Sequence, residues 1–265
     1  MLWNSIMKEN SNMLKFCLRF LGFLTLLLNM AVISCAQGLS PQEIVKRADD
    51  LIRGDTSQGT YSMTVTTPDW KRTLELKAYS SGRDKTFIRI LSPAKESGIT
   101  TLRVKTNMWN YLPKVERTIK IPPSMMLQPW MGSDFTNDDL MKESSVVHDY
   151  THKIISEENT TDGAAYKIEL LPKPNAPVTW GKLIYLIRKN DFVPLRQEYY
   201  NEDGKLIKIL EYSKIKKMSD REIPTVWTMI SKTKENNTTI IVVSDVVYNQ
   251  PIDENIFSMA NLKSK

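Results

Sequence analysis

Residues Trp109–Phe135, WNYLPKVERTIKIPPSMMLQPWMGSDF, carry more apolar surface than a solvated connection needs. Trp109, Tyr111 and Leu112 read as the end of a strand, and Pro113 closes it, because proline has no N–H to give a ladder. Ile119 and Ile121 resume an alternating pattern until Pro122-Pro123 break it, after which Met125, Met126, Leu127, Trp130, Met131 and Phe135 follow within a dozen positions. Methionine is flexible and polarisable, so beside tryptophan it suits a surface that must fit irregular or changing apolar shapes. Two readings stay open. Either these side chains fold down as a plug in the core of a β-domain, or they form a lid that covers an apolar cavity and moves aside for a ligand.

Working outward, the chain supplies the framework that either reading requires. Ser40-Pro41-Gln42-Glu43 is a capping box that opens a helix, with Ile44, Val45, Ala48, Leu51 and Ile52 on one stripe and Gly54 as the stop. From Tyr61 the period changes to two: Tyr61, Met63 and Val65, then Leu74, Leu76 and Ala78, make a hairpin about Pro68-Asp69. Strands follow at Phe87–Leu91, Ile99–Val104 and Met108–Leu112. Beyond the apolar stretch, Thr136 and Asp139 are placed to cap a short helix through Lys142. Six further strands run over Tyr166–Leu171, Lys182–Arg188, Leu195–Tyr200, Lys205–Tyr212, Thr225–Lys232 and Thr238–Val246, joined by turns such as Glu202-Asp203-Gly204 and Glu235-Asn236-Asn237. The total is about eleven strands in one antiparallel meander. Ile184 and Leu186, like Leu206 and Leu210, face opposite ways from equally apolar neighbours, so parts of both sheet faces are expected to be covered. A two-sheet sandwich and a half-barrel with a helix and a lid explain this equally well.

Composition sets the outer bounds. At 265 residues and 41% hydrophobic content, residues 37–265 suffice for a single domain. Residues 1–36 read as an export signal: Lys8, Lys15 and Arg19 form a basic front, and Phe20–Ile33 carries no charge. Ser34-Cys35-Ala36 fits a small-residue cleavage site releasing Gln37, whereas Val32-Ile33-Ser34-Cys35 fits a lipobox that leaves Cys35 lipidated; an uncut signal-anchor is a third option. Cys17 and Cys35 are the only cysteines, so the domain has neither disulfide nor thiol chemistry. Of the net charge of +6, +4 remains on residues 37–265. Basic and acidic residues alternate, without the arginine–aromatic interleaving of single-strand nucleic-acid binders.

Catalytic constellations are missing. His148 and His152, the only histidines, share a face only in a helix, while Val146-Val147 and Ile154-Ile155 suggest extended chain, so two bland histidines are preferred over a metal pair. Asp49-Asp50 and Asp138-Asp139 are read as helix ends and solvated faces. Gly132-Ser133-Asp134 lacks a histidine partner for a nucleophilic serine and reads as a turn. No phosphate loop, nucleophile elbow or dinucleotide fingerprint occurs.

Several motifs nevertheless recur in a recognisable order: Asp84-Lys85 with Phe87-Ile88-Arg89, Leu91 and Pro93; Trp109-x-Tyr111-Leu112-Pro113; and Met131-Gly-Ser-Asp-Phe135. Asp149-Tyr150-Thr151, Pro194-Leu195-Arg196 with Glu198-Tyr199-Tyr200, Asp203-Gly204-Lys205 and Ser244-Asp245-Val246 continue the series. Together they resemble the outer-membrane lipoprotein-sorting (LolA-like) family over nearly all of the chain after residue 40. The resemblance implies a mainly β (α+β) fold, a curved antiparallel sheet forming an unclosed half-barrel, with helix and lid over an apolar cavity for acyl chains. It further implies a periplasmic carrier or chaperone for lipids or lipoprotein acyl chains, soluble or anchored through Cys35, that is not an enzyme. A non-catalytic envelope-assembly module without lipid cargo is the alternative. The expected lipid-binding and lid residues are Trp109, Tyr111, Met125, Met126, Leu127, Trp130, Met131 and Phe135. No cofactor, metal or nucleic acid is expected. The expected partners of the monomer are an inner-membrane transporter and an outer-membrane acceptor.

Overall fold

The computed structural model describes residues 38–264 apart from 143, 144 and 177; the expected export signal therefore lies outside the described residues. Helix α1, Pro41–Arg53, begins as its sequence predicts: the Ser40 hydroxyl accepts from the Glu43 amide at 3.1 Å, and Pro41 occupies the first turn. The Glu43 carboxylate turns to Arg47 Nε at 3.0 Å, one turn on. Gly54 ends the helix at φ +64°, and a Cβ there would stand 2.7 Å from Asn249 Oδ1, so both conformation and space require glycine.

Thirteen strands follow: β1 Thr56–Thr66, β2 Lys71–Ser81, β3 Lys85–Ser92, β4 Thr100–Val104, β5 Asn107–Leu112, β6 Arg117–Lys120, β7 Tyr150–Thr160, β8 Gly163–Pro172, β9 Lys182–Arg188, β10 Pro194–Tyr200, β11 Leu206–Met218, β12 Arg221–Ser231 and β13 Thr238–Tyr248. They form one antiparallel sheet in the order β6-β5-β4-β3-β2-β1-β13-β12-β11-β10-β9-β8-β7. Every pairing is between chain neighbours except β1 with β13, which joins the two halves. The sheet is curved but unclosed, with β6 and β7 as its edges, so the sandwich alternative is set aside. The two strands absent from the eleven expected are these edges. Edge strands are commonly short and charged, which guards against pairing with other chains and removes the apolar alternation that would reveal them: β6 is RTIK, and most of β7 is polar.

This topology accounts for the apolar stretch. The chain leaves the β6 edge after Lys120 and re-enters at the β7 edge at Tyr150, so it must cross the sheet, and the face that Ile121–Phe135 cover is the concave one. Trp130 and Ile121 pack there on Met63, Leu74 and Ile90, while α1 lays Ile44, Val45 and Ala48 over the other half of that face, against Tyr150, Ile168 and Leu183. Each such large side chain, fully buried, contributes roughly 1.5–3 kcal/mol. A β-bulge between Thr60 and Tyr61, opposite Ser244, shifts the register so that Val246 and Tyr248 remain buried with Val243 and Asp245 turns outward. On the outer face, the C-terminal segment with helix α3, Met259–Leu262, covers β3–β5 through Phe257 and Leu262, which meet Phe87 and Leu102.

His148 is exposed, and His152 lies in β7, where its ring Nε2 donates to the Val146 carbonyl at 2.8 Å. Burial holds the His152 imidazole below its ordinary value of 6.5, partly opposed by that hydrogen bond and reinforced by Lys173. The unfolded chain therefore binds a proton that the folded one resists. This group costs no stability above 6.5, and destabilises progressively as pH falls from 6.5 towards the lowered folded value. The urea midpoint should fall between pH 7.5 and 5.5, and His152→Gln, which keeps a donor for Val146, should flatten that slope; an unchanged slope would refute the assignment.

Candidate functional site

Between the concave face and its two coverings lies a cavity of about 200 Å³. Its wall is mainly aromatic and aliphatic. Tyr61, Trp227 and Tyr212 form a continuous ridge, with ring centroids 6.3 Å apart for Tyr61–Trp227 and 6.0 Å for Tyr212–Trp227. Tyr61 on β1 and Trp227 on β12 lie on either side of β13, and Tyr212 on β11 is the direct partner of Trp227, all at positions that the two-residue period turns to one face. Leu76, which pairs with Tyr61, and the facing Ala78 and Ile88 extend this lining across β2 and β3.

The crossing segment closes the cavity with Trp130 and Phe135, both buried lining residues. Trp130 is 4% exposed, and its indole N–H donates to Thr101 Oγ1 on β4 at 3.1 Å. Its amide donates to Phe135 O at 2.7 Å, and the Ser133 hydroxyl donates to Trp130 O at 2.7 Å, so Ser133 is turn chemistry as its sequence context suggests. Arg72 donates to Met131 O, and the Asp134 amide to Thr239 Oγ1 at 2.9 Å, pinning the segment to β2 and β13. Helix α2, Asn137–Lys142, starts on a reciprocal cap: the Thr136 amide donates to Asp139 Oδ2 at 2.6 Å and the Asp139 amide to Thr136 Oγ1 at 3.2 Å.

The eight residues singled out in the sequence separate into three groups. Trp130 and Phe135 line the cavity. Met126 and Met131 are half-buried against the cluster beneath, whereas Met125 and Leu127 are 41% and 56% exposed. Trp109 and Tyr111 do not line the cavity; they pack with Phe257 and Leu262 on the outer face. That placement corrects the expectation. Period-two alternation puts the two on one face of β5, but which face is inward is decided by Met108, fully buried on the concave side.

One end of the cavity is polar. Asp138, Asp139, Thr179 and Gln197 line it, and none of them is at a solvated helix end: Asp138 accepts from Thr179 Oγ1 at 2.6 Å, and Asp139 is paired with Lys208 of β11. The side chains of that pair are 5% and 8% exposed. The Lys208 ammonium also lies 4.8 Å from the Trp180 ring centroid and 5.0 Å from that of Tyr199. Asp49 is likewise buried, on α1, between Arg53 and Arg83. Lys208 was legible as an anomaly, a lone cation in the apolar strand LIKILEY.

An unclosed, curved antiparallel sheet wrapped round a helix and a crossing segment defines the LolA-like fold. A family model described as "Uncharacterized protein" matches residues 82–264, and the chain belongs to that family. Three solved structures share the architecture. A DUF1329 family protein from Desulfovibrio piger superposes with a TM-score of 0.77 at 23% identity, over 84% of this chain and 97% of its own. A domain assigned to outer membrane lipoprotein sorting from Vibrio parahaemolyticus gives 0.73 at 23%, over 84% and 98%. A LolA superfamily protein from Nitrosomonas europaea gives 0.72 at 22%, over 84% and 100%. No curated protein sequence matches the chain.

Proposed function

We propose that this protein is a non-catalytic periplasmic carrier or chaperone that holds an acyl chain of a lipid or lipoprotein in the cavity. The observation that supports this is the cavity itself, an apolar space with an aromatic wall beneath a segment held both by the packing of Trp130 and by polar contacts. Burial in such a space is worth about 0.8 kcal/mol per methylene, so a partly inserted chain of about eight methylenes gains about 6 kcal/mol before ordering costs. The exchange step is passive, driven by differences in affinity between this protein and membrane partners, an inner-membrane transporter and an outer-membrane acceptor. The names carried by the two similar structures from Vibrio and Nitrosomonas agree with this reading. Exposed Met125 and Leu127 favour a second role for the same segment, contact with an envelope protein partner.

Titration with N-phenyl-1-naphthylamine tests the carrier reading. Saturable fluorescence enhancement is expected. Ala78→Leu, which fills part of the cavity from β2, should weaken probe binding about fivefold or more while changing stability by less than about 1.5 kcal/mol. Equal affinity in the two proteins would count against a cargo site here.

A further inference from the structure

The polar end of the cavity bears on what kind of cargo fits. Asp139 lines the cavity with a side chain more than nine-tenths buried. Its Oδ2 is fully engaged, accepting from the Thr136 amide at 2.6 Å, from Thr136 Oγ1 at 2.9 Å and from Lys208 Nζ. Its Oδ1 is buried and accepts no hydrogen bond. Carboxylate oxygens removed from water ordinarily find donors, and leaving one without a donor is unfavourable. Asp138 lies beside it at the same end, and the Gln197 side chain also lines this end. Lys208 is already committed to Asp139 and to the Trp180 and Tyr199 rings, and Arg53, a cation on the cavity wall, is paired with Asp49.

Resting on the carrier reading above, we propose that Asp139 Oδ1 is a recognition point for a hydrogen-bond-donating polar end, a hydroxyl or an amine, on an otherwise apolar ligand. An anionic end, such as a carboxylate, is rejected there. The physical reason is additive: a donor satisfies an acceptor that otherwise has none, whereas a carboxylate brings a further negative charge beside Asp138 and Asp139, of which Lys208 is paired with Asp139. The apolar chain then runs along the Tyr61–Trp227–Tyr212 ridge.

Competition for the naphthylamine probe by hexadecanol, hexadecylamine and palmitate, which share a chain length, separates the possibilities. The alcohol and the amine should each displace the probe at about tenfold lower concentration than palmitate, and their ratio tells hydroxyl from ammonium recognition. Asp139→Asn with Lys208→Met removes both charges of the pair and keeps a side-chain acceptor for the Thr136 cap, so it should remain folded and bring the palmitate ratio close to one. Should that variant not fold, Gln197→Leu provides the second readout, with the preference retained through Asp139. Equal displacement by all three ligands in the wild type, or a palmitate preference, overturns this proposal while leaving the carrier reading intact. No probe binding at all overturns both.

Discussion

Lys208→Met should destabilise the protein by about 3–5 kcal/mol, because it leaves the Asp139 carboxylate buried without its counter-ion. The loss comes from the abandoned partner more than from the value of the pair. Adding Asp139→Asn to Lys208→Met should accordingly recover most of the stability, since an ion pair replaced on both sides is often close to neutral. Denaturant midpoints for the wild type, the two single variants and the double variant form the cycle that checks this. A double variant as unstable as the sum of the singles would mean that the pair is not coupled, and that Lys208 matters mainly by packing against Trp180 and Tyr199.

Trp130→Ala is expected to cost about 3–5 kcal/mol as a buried large-to-small change, with the loss of the indole bond to Thr101 included. Met125→Ser with Leu127→Ser should cost less than about 1 kcal/mol, because both side chains are already largely in water. The contrast matters for the crossing segment, which the sequence left between a plug and a lid. Trp130 and Phe135 have the burial of a plug, while Met125 and Leu127, a few residues away, have the exposure of a contact surface. If both variants lose stability alike, the segment is a plug along its whole length.

The sequence was most legible where local chemistry and periodicity agree. The Ser40 cap, the stripe of Ile44, Val45 and Ala48, the Gly54 stop and the Thr136–Asp139 cap are each decided within a few residues, and each stands in the structure. The edge strands were hidden because strand recognition from sequence depends on a buried face, and β6 and most of β7 have none. Sidedness was recoverable only in relative terms. Trp109 and Tyr111 alternate correctly with Met108, but the cover that makes the outer face apolar, Phe257 and Leu262, lies about 150 residues downstream. The polar end of the cavity is non-local in the same sense: Lys208 and Asp139 are 69 positions apart, joined only because β11 runs beneath the crossing segment.

Whether the cavity holds an acyl chain is decided by what the protein carries when it is purified from the envelope. The full chain should be expressed with its own N-terminal segment, purified from the envelope without detergent, and extracted with organic solvent for mass spectrometry alongside an unrelated exported protein of similar size. An acyl-chain lipid or lipoprotein fragment is expected at close to one per protein molecule, reduced several-fold in Ala78→Leu. Lipid at the level of the control protein, together with an unchanged yield in Ala78→Leu, would contradict the carrier reading.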